Sequence, residues 1–142
     1  MLLFDLDDFK VIKDNYGHRA GDRVLQSVVD RFTQVARNVD LVARLGGEEF
    51  VLLISGIDLA EASVVGGRVR AGVEGLRFHL RGMPVRITVS CGITLLRSDD
   101  SAEAAYDGAD SALIPRQGCR QSHLHRGQIQ QARVVMINQY LT

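Results

Sequence analysis

The sequence predicts an α+β sandwich of the ferredoxin-like kind, an antiparallel-rich sheet with helices on one face. Three observations lead there. The apolar pattern changes period along the chain in the order strand, helix, strand, strand, helix, strand, strand, helix, with room for one last strand. The middle pair of strands is joined across Gly46 and Gly47, a connection so short that the two must form a hairpin. Further on, Val85, Ile87, Val89, Cys91 and Ile93 alternate with Arg86, Thr88, Ser90 and Gly92, the pattern of a strand with one buried face.

Taken in order, Met1 to Asp7 is an apolar run ending in carboxylates, which predicts a central strand. Residues 9–15 predict a short helix or turn closed by Gly17. Gly21 and Asp22 then lead a long amphipathic helix, in which Val24, Leu25, Val28, Val29, Phe32 and Val35 fall at the spacing of a core face. The hairpin strands run from Leu41 to Leu45 and from Phe50 to Ile54. Asp58 to about Leu76 predicts a second long helix with Leu59, Ala62, Val65, Val69 and Val73 inward. Its Gly66, Gly67 and Gly72 each cost about 1 kcal/mol against alanine, so either close packing on the sheet compensates or the helix is loose. Arg77 to Arg81 and Val85 to Leu96 read as strands around an Arg81-Gly82-Met83-Pro84 turn. Asp100 and Glu103 form a capping pair for a third helix through Leu113, which Pro115 stops. Residues 117–131 are rich in Gln, His and Arg without periodicity, and His123 and His125 read there as bystanders rather than metal ligands. Val134 to Ile137 is a candidate last strand.

Composition sets the outer bounds. A chain of 142 residues, 46% hydrophobic and 24% charged, is one ordinary soluble globular domain. Its formal charge is zero, which gives no footprint for bulk nucleic acid or an anionic membrane. No apolar run approaches the roughly 20 residues that span a bilayer, and no signal peptide is visible. Cys91 in a strand and Cys119 in the polar tail make no metal-spaced pair, which fits a reduced, cytoplasmic setting.

The chemistry gathers around Arg44-Leu45-Gly46-Gly47-Glu48-Glu49-Phe50. Glycines admit positive φ and let a ligand approach the backbone. Adjacent glutamates repel one another unless a cation or a proton lies between them. Alone, such a turn is simply a solvated acidic tip. Upstream, however, alternation puts Asp5 and Asp7 on one face of the first strand, beside Leu6, whose carbonyl is a further oxygen donor. Strand-end carboxylates beside a hairpin bearing two more make a hard-cation site, suited to Mg²⁺ carrying a substrate's phosphates.

Three blocks, Phe4-Asp5-Leu6-Asp7-Asp8-Phe9-Lys10, Tyr16-Gly17-His18-Arg19-Ala20-Gly21-Asp22 and Arg44 to Phe50, resemble in this order the GGDEF domain of bacterial diguanylate cyclases. The resemblance runs from Met1 to about Leu113 and leaves residues 114–142 as a divergent tail of the same domain. It implies a nucleotidyl-cyclase fold related to polymerase palms, and the condensation of two GTP to cyclic di-GMP with release of pyrophosphate. It also implies Mg²⁺ or Mn²⁺, a homodimer whose halves each hold one GTP, and an upstream sensory domain. The metal ligands it implies are Asp5, the Leu6 carbonyl and Glu48, with Glu49 a further ligand or a base. For GTP it implies Phe9 and Lys10 beside the phosphates and the backbone of Gly46 and Gly47 along the triphosphate. His18 keeps the family's place, and Asp22 accepts from the guanine N1 and N2 donors. Arg37-Asn38-Val39-Asp40 resembles the family's product-inhibition motif for cyclic di-GMP, with Arg68 as its second arginine.

Three departures from the family pattern stand beside these matches. Lys13 occupies the place of a base-reading asparagine, and its ammonium only donates. The terminal lysine is missing, with Arg116 or Arg120 as substitutes only along another backbone path. The family's helix before the first strand has no counterpart. A second class of function therefore stands beside the cyclase, a catalytically silent module that binds cyclic di-GMP or GTP. A third is a partner-binding remnant of a larger sensor.

Overall fold

A computed structural model describes residues 1–113 and the backbone of Val135 and Met136. The strands β1 (Leu2–Leu6), β2 (Leu41–Gly46), β3 (Glu49–Leu53), β6 (Val89–Ile93) and β7 (Val135–Met136) form one sheet in the order β6-β1-β3-β2-β7, every pair antiparallel. Strands β4 (Phe78–Leu80) and β5 (Met83–Val85) make a separate hairpin. The helices are α1 (Phe9–Tyr16), α2 (His18–Val35), α3 (Leu59–Glu74) and α4 (Ala102–Ser111). This is the predicted α+β sandwich, with β1 central as its apolar run required.

One face of the sheet holds the core. Leu2, Phe4 and Leu6 of β1 and Phe50 and Leu52 of β3 meet the buried stripe of α2, Val24, Leu25, Val28 and Phe32. The Phe32 ring is the hub, edge-on to Phe4 at 4.7 Å between centroids and 5.3 Å from Phe50. The glycine question in α3 resolves residue by residue. A Cβ on Gly66 would come within 3.2 Å of Cys91 Sγ and 3.3 Å of Leu2 Cδ2, so this glycine lets α3 lie close on the sheet. Gly67 faces open space.

Several expectations need correction. The helices do not share one face. Cys91 faces Gly66 of α3, whereas a Cβ on the next residue, Gly92, would meet the backbone of α4. Neighbouring strand residues point to opposite faces, so α4 covers the far side of the sheet. For the same reason Ser90 and Gly92 are buried, and β6 has no solvent face. The run from Val85 to Leu96 is not one strand. Arg81 and Gly82 both take positive φ, 52° and 79°, and fold Met83–Val85 back on β4; the chain rejoins the main sheet only at Val89.

Helix α2 begins at His18, ahead of the predicted Gly21-Asp22 lead, because Gly17 at φ 86° turns the chain directly out of α1. Gly21 is then a packing residue inside α2, where a Cβ would fall 2.9 Å from Lys13 Cγ. Leu59 at the start of α3 is half exposed rather than inward. The cap of α4 is Ser101, which accepts from the Ala104 N–H, while the Asp100 carboxylate accepts from the Arg97 N–H. The expectations placed on Pro115, Arg116, Cys119, Arg120, His123 and His125 lie outside the described residues.

Candidate active site

The register of three strands builds the site. Asp5 stands opposite Glu49 across β1 and β3, and the Leu6 N–H donates to the Glu48 carbonyl at 3.2 Å. The two glutamates of the hairpin are thereby held at the carboxylate end of β1. The turn itself is pinned by Arg44, whose Nε and Nη2 donate to the Gly47 carbonyl at 3.0 and 2.6 Å. A register shift between Arg44 and Gly46 bends the strand just before the turn. Gly47 takes φ 50°, and nothing lies within 4 Å of where a Cβ on Gly46 or Gly47 would be. The hairpin tip therefore presents bare backbone to open space.

Asp7 shares the Asp5 face and is fixed by two hydroxyls of the neighbouring chain segment. Thr88 Oγ1 donates to it at 2.6 Å and Ser90 Oγ at 2.7 Å. Asp5 is in the opposite position. Burial first, then the charges of Glu48, Glu49, Asp7 and Asp110, push its carboxyl from 3.8 up to about 7. Every charge acting on it is negative. From the other side of the mouth, the Tyr106 hydroxyl of α4 donates to Glu49 Oε1 at 2.5 Å. Burial and that bond push the phenol well above its ordinary range, so it stays a donor.

The remaining predicted residues are placed as follows. The Phe9 ring is buried in the core, so its side chain is turned from any ligand, whereas Lys10 is exposed beside it. The Lys13 stem crosses Gly21, and its ammonium lies 4.8 Å from the Phe9 ring centroid. His18 and Asp22 are exposed on the first turns of α2. Arg37 and Asp40 are joined to one another. Asp40 is buried, and it accepts from the Arg37 backbone N–H at 2.7 Å and from the guanidinium at two 3.2 Å contacts; Arg37 also reaches the Ser55 carbonyl. Arg68 is exposed on α3.

Sequence reasoning overlooked Tyr106, Asp110, Thr88, Ser90 and the anchoring role of Arg44. Tyr106 is a single aromatic in the alanine-rich run of α4, but nothing in that run points to its partner Glu49, which lies 57 residues away.

Among the described residues, no three histidine, cysteine or carboxylate side chains are drawn together closely enough to hold a metal ion. The donor set nevertheless fits a hard divalent cation. It consists of oxygen ligands, and the raised Asp5 reports an excess of negative charge that such a cation relieves.

Residues 1–118 match the family described as "Diguanylate cyclase, GGDEF domain". The chain belongs to the GGDEF family. Among curated relatives, the diguanylate cyclase DgcP of Pseudomonas aeruginosa is 39% identical over 113 residues, covering 80% of this chain and 17% of DgcP. The GGDEF domain thus spans about a sixth of that relative. Among solved structures, the diguanylate cyclase SiaD of Pseudomonas aeruginosa, in complex with its activator SiaC, superposes with a TM-score of 0.74 at 35% identity, over 78% of this chain and 43% of SiaD. The GGDEF domain of DgcB from Caulobacter crescentus, in complex with c-di-GMP, gives 0.73 at 28% identity, over 78% and 67%. No helix among the described residues is long and apolar enough to cross a membrane.

Proposed function

We propose that this GGDEF domain condenses two GTP into cyclic di-GMP, each 3′-hydroxyl attacking the other's α-phosphate and releasing one pyrophosphate. The observation that carries the reading is the register placing the Glu48-Glu49 turn against the carboxylate end of β1, with Asp5 opposite Glu49. Asp5, Glu48, Glu49 and the Leu6 carbonyl would hold Mg²⁺ or Mn²⁺. The cation supplies charge neutralisation at the phosphates and activation of the attacking oxygen.

The chain's own part is positioning. Gly46 and Gly47 let the triphosphate lie on the hairpin backbone, and Arg44 keeps that turn rigid. Lys10 offers compensating charge, and Asp22, with His18 nearby on α2, accepts from the guanine edge. A homodimer is required because one domain presents one such mouth, and each GTP needs its own. Cytoplasmic placement and control by an upstream sensory domain belong to the same reading.

The alternative, a silent module that binds cyclic di-GMP or GTP, is favoured by Lys13. Its ammonium rests over Phe9 and cannot supply the acceptor half of an amide. The deciding assay incubates the chain with GTP and Mn²⁺ beside Glu48→Ala and measures cyclic di-GMP. Product from the wild type and none from the variant supports the cyclase. No product from a wild type that still binds GTP transfers the assignment to the silent module.

A further inference from the structure

Helix α4 is seated on β6 with no room to shift inward. A Cβ on Gly92 would fall on the Ala109 carbonyl oxygen and 2.9 Å from the Leu113 N, and a Cβ on Gly108 would lie 3.1 Å from Thr94 Oγ1. Ala105 and Ala109 form the buried face of α4. Tyr106 follows Ala105 at the rim of that face, half-buried, and its hydroxyl reaches across to Glu49 Oε1. Phenylalanine or leucine would satisfy the apolar part of this position; only Glu49 accounts for the hydroxyl. Glu49 in turn is the cross-strand partner of Asp5, the most charge-stressed carboxylate of the mouth. A free glutamate samples several rotamers, and ordering it at the moment a cation binds opposes that binding. A donor already holding one carboxylate oxygen removes that opposition, as outer hydrogen bonds do for metal ligands generally.

We propose that Tyr106 is a positioning residue, whose hydroxyl orders Glu49 opposite Asp5, so that a divalent cation entering the mouth has only to draw Asp5 and Glu48 in toward a carboxylate already held. The inference rests on the metal reading given above. It makes α4 part of the site although that helix supplies no ligand.

The test titrates Mn²⁺ into the full 142-residue chain in the presence of guanosine 5′-(α,β-methylene)triphosphate, with free Mn²⁺ read by electron paramagnetic resonance. Tyr106→Phe weakens Mn²⁺ uptake on the order of tenfold. Tyr106→Leu matches it, and thermal melts by circular dichroism verify that each variant is folded. In a Glu49→Ala background the hydroxyl has nothing left to hold, so adding Tyr106→Phe changes nothing further. Equal Mn²⁺ affinity in wild type and Tyr106→Phe overturns the inference. So does a loss that persists undiminished in the Glu49→Ala background, which marks a packing role. The metal reading fails separately, if Asp5→Asn and Glu48→Gln both leave Mn²⁺ uptake unchanged. A wild type that takes up no Mn²⁺ overturns both.

Discussion

Asp5 is where the demands of folding and of the site conflict most directly. Its carboxyl is raised to about 7 by burial and by four neighbouring carboxylates, so in metal-free protein the folded state holds a proton that the unfolded chain gives up near 3.8. Between those values the native state binds more protons than the unfolded one, and stability therefore falls as pH rises. Above about 7 both states are ionised and the whole penalty is present. In EDTA, Asp5→Asn should stabilise the domain at pH 8 by about 1–2 kcal/mol, a figure reduced for solvent screening of a partly exposed group. It should also flatten the decline between pH 4 and 7 seen in urea titrations. An unchanged pH profile in the variant would mean that Asp5 ionises normally. At this scale the acidic hairpin was legible in the sequence, because Glu48 and Glu49 are adjacent and Asp5 and Asp7 alternate. Tyr106, Thr88 and Ser90 were not, because their contacts depend on which strand and helix lie alongside, and no local spacing encodes that.

Among the elements, the close seating of α4 and α3 is the point on which sequence and structure part. A glycine is one letter whether it relieves a backbone clash or merely weakens a helix, and only the neighbours distinguish the two. Gly92 belongs to the first kind, since its Cβ would strike the backbone of α4, which cannot move aside like a flexible side chain. Gly67 belongs to the second, with open space around it on an exposed turn of α3. Gly92→Ala should therefore destabilise the domain by about 1–3 kcal/mol through overpacking. Gly67→Ala should stabilise it by about 0.5–1 kcal/mol through helix propensity and reduced unfolded-chain entropy. Urea midpoints measured side by side check both, and shifts in the same direction would contradict the seating described here. Periodicity found α2 and α3 and the hairpin because each carries its own repeating pattern. It failed at Val85–Leu96, where the end of β5 and the whole of β6, strands of different sheets, follow one another in the same alternation with only residues 86–88 between them.

Across the whole molecule, the sheet holds the acidic mouth and the Arg37–Asp40 pair apart. The acidic mouth lies where β1 and β2 end, whereas Arg37 and Asp40 stand just before β2 begins. Six residues of β2 at about 3.3 Å each place them about 20 Å from one another. Arg37 and Asp40 are already paired, with Asp40 almost wholly buried and Arg37 mostly open to solvent. We propose this pair as a cyclic di-GMP site, where a phosphate or guanine edge would meet a guanidinium whose orientation Asp40 and Ser55 have fixed in advance. Arg37→Ala removes that charge-assisted donor, a loss of about 1.5–3 kcal/mol, or roughly ten- to a hundredfold in affinity. Asp40→Asn keeps one side-chain oxygen to accept from the Arg37 backbone N–H but loses the ion pair that holds the guanidinium, and should weaken binding less than Arg37→Ala. Calorimetric titration of cyclic di-GMP into the wild type and both variants measures the two effects. Because a sheet's length separates the sites, Glu48→Gln should leave that titration unaltered while it abolishes Mn²⁺-nucleotide uptake at the mouth. Superimposed titrations of wild type and Arg37→Ala would leave the pair as a strand-end staple and nothing more. A weakened Arg37→Ala beside an unaltered Glu48→Gln would establish that product is sensed at the far end of the sheet from where it is made.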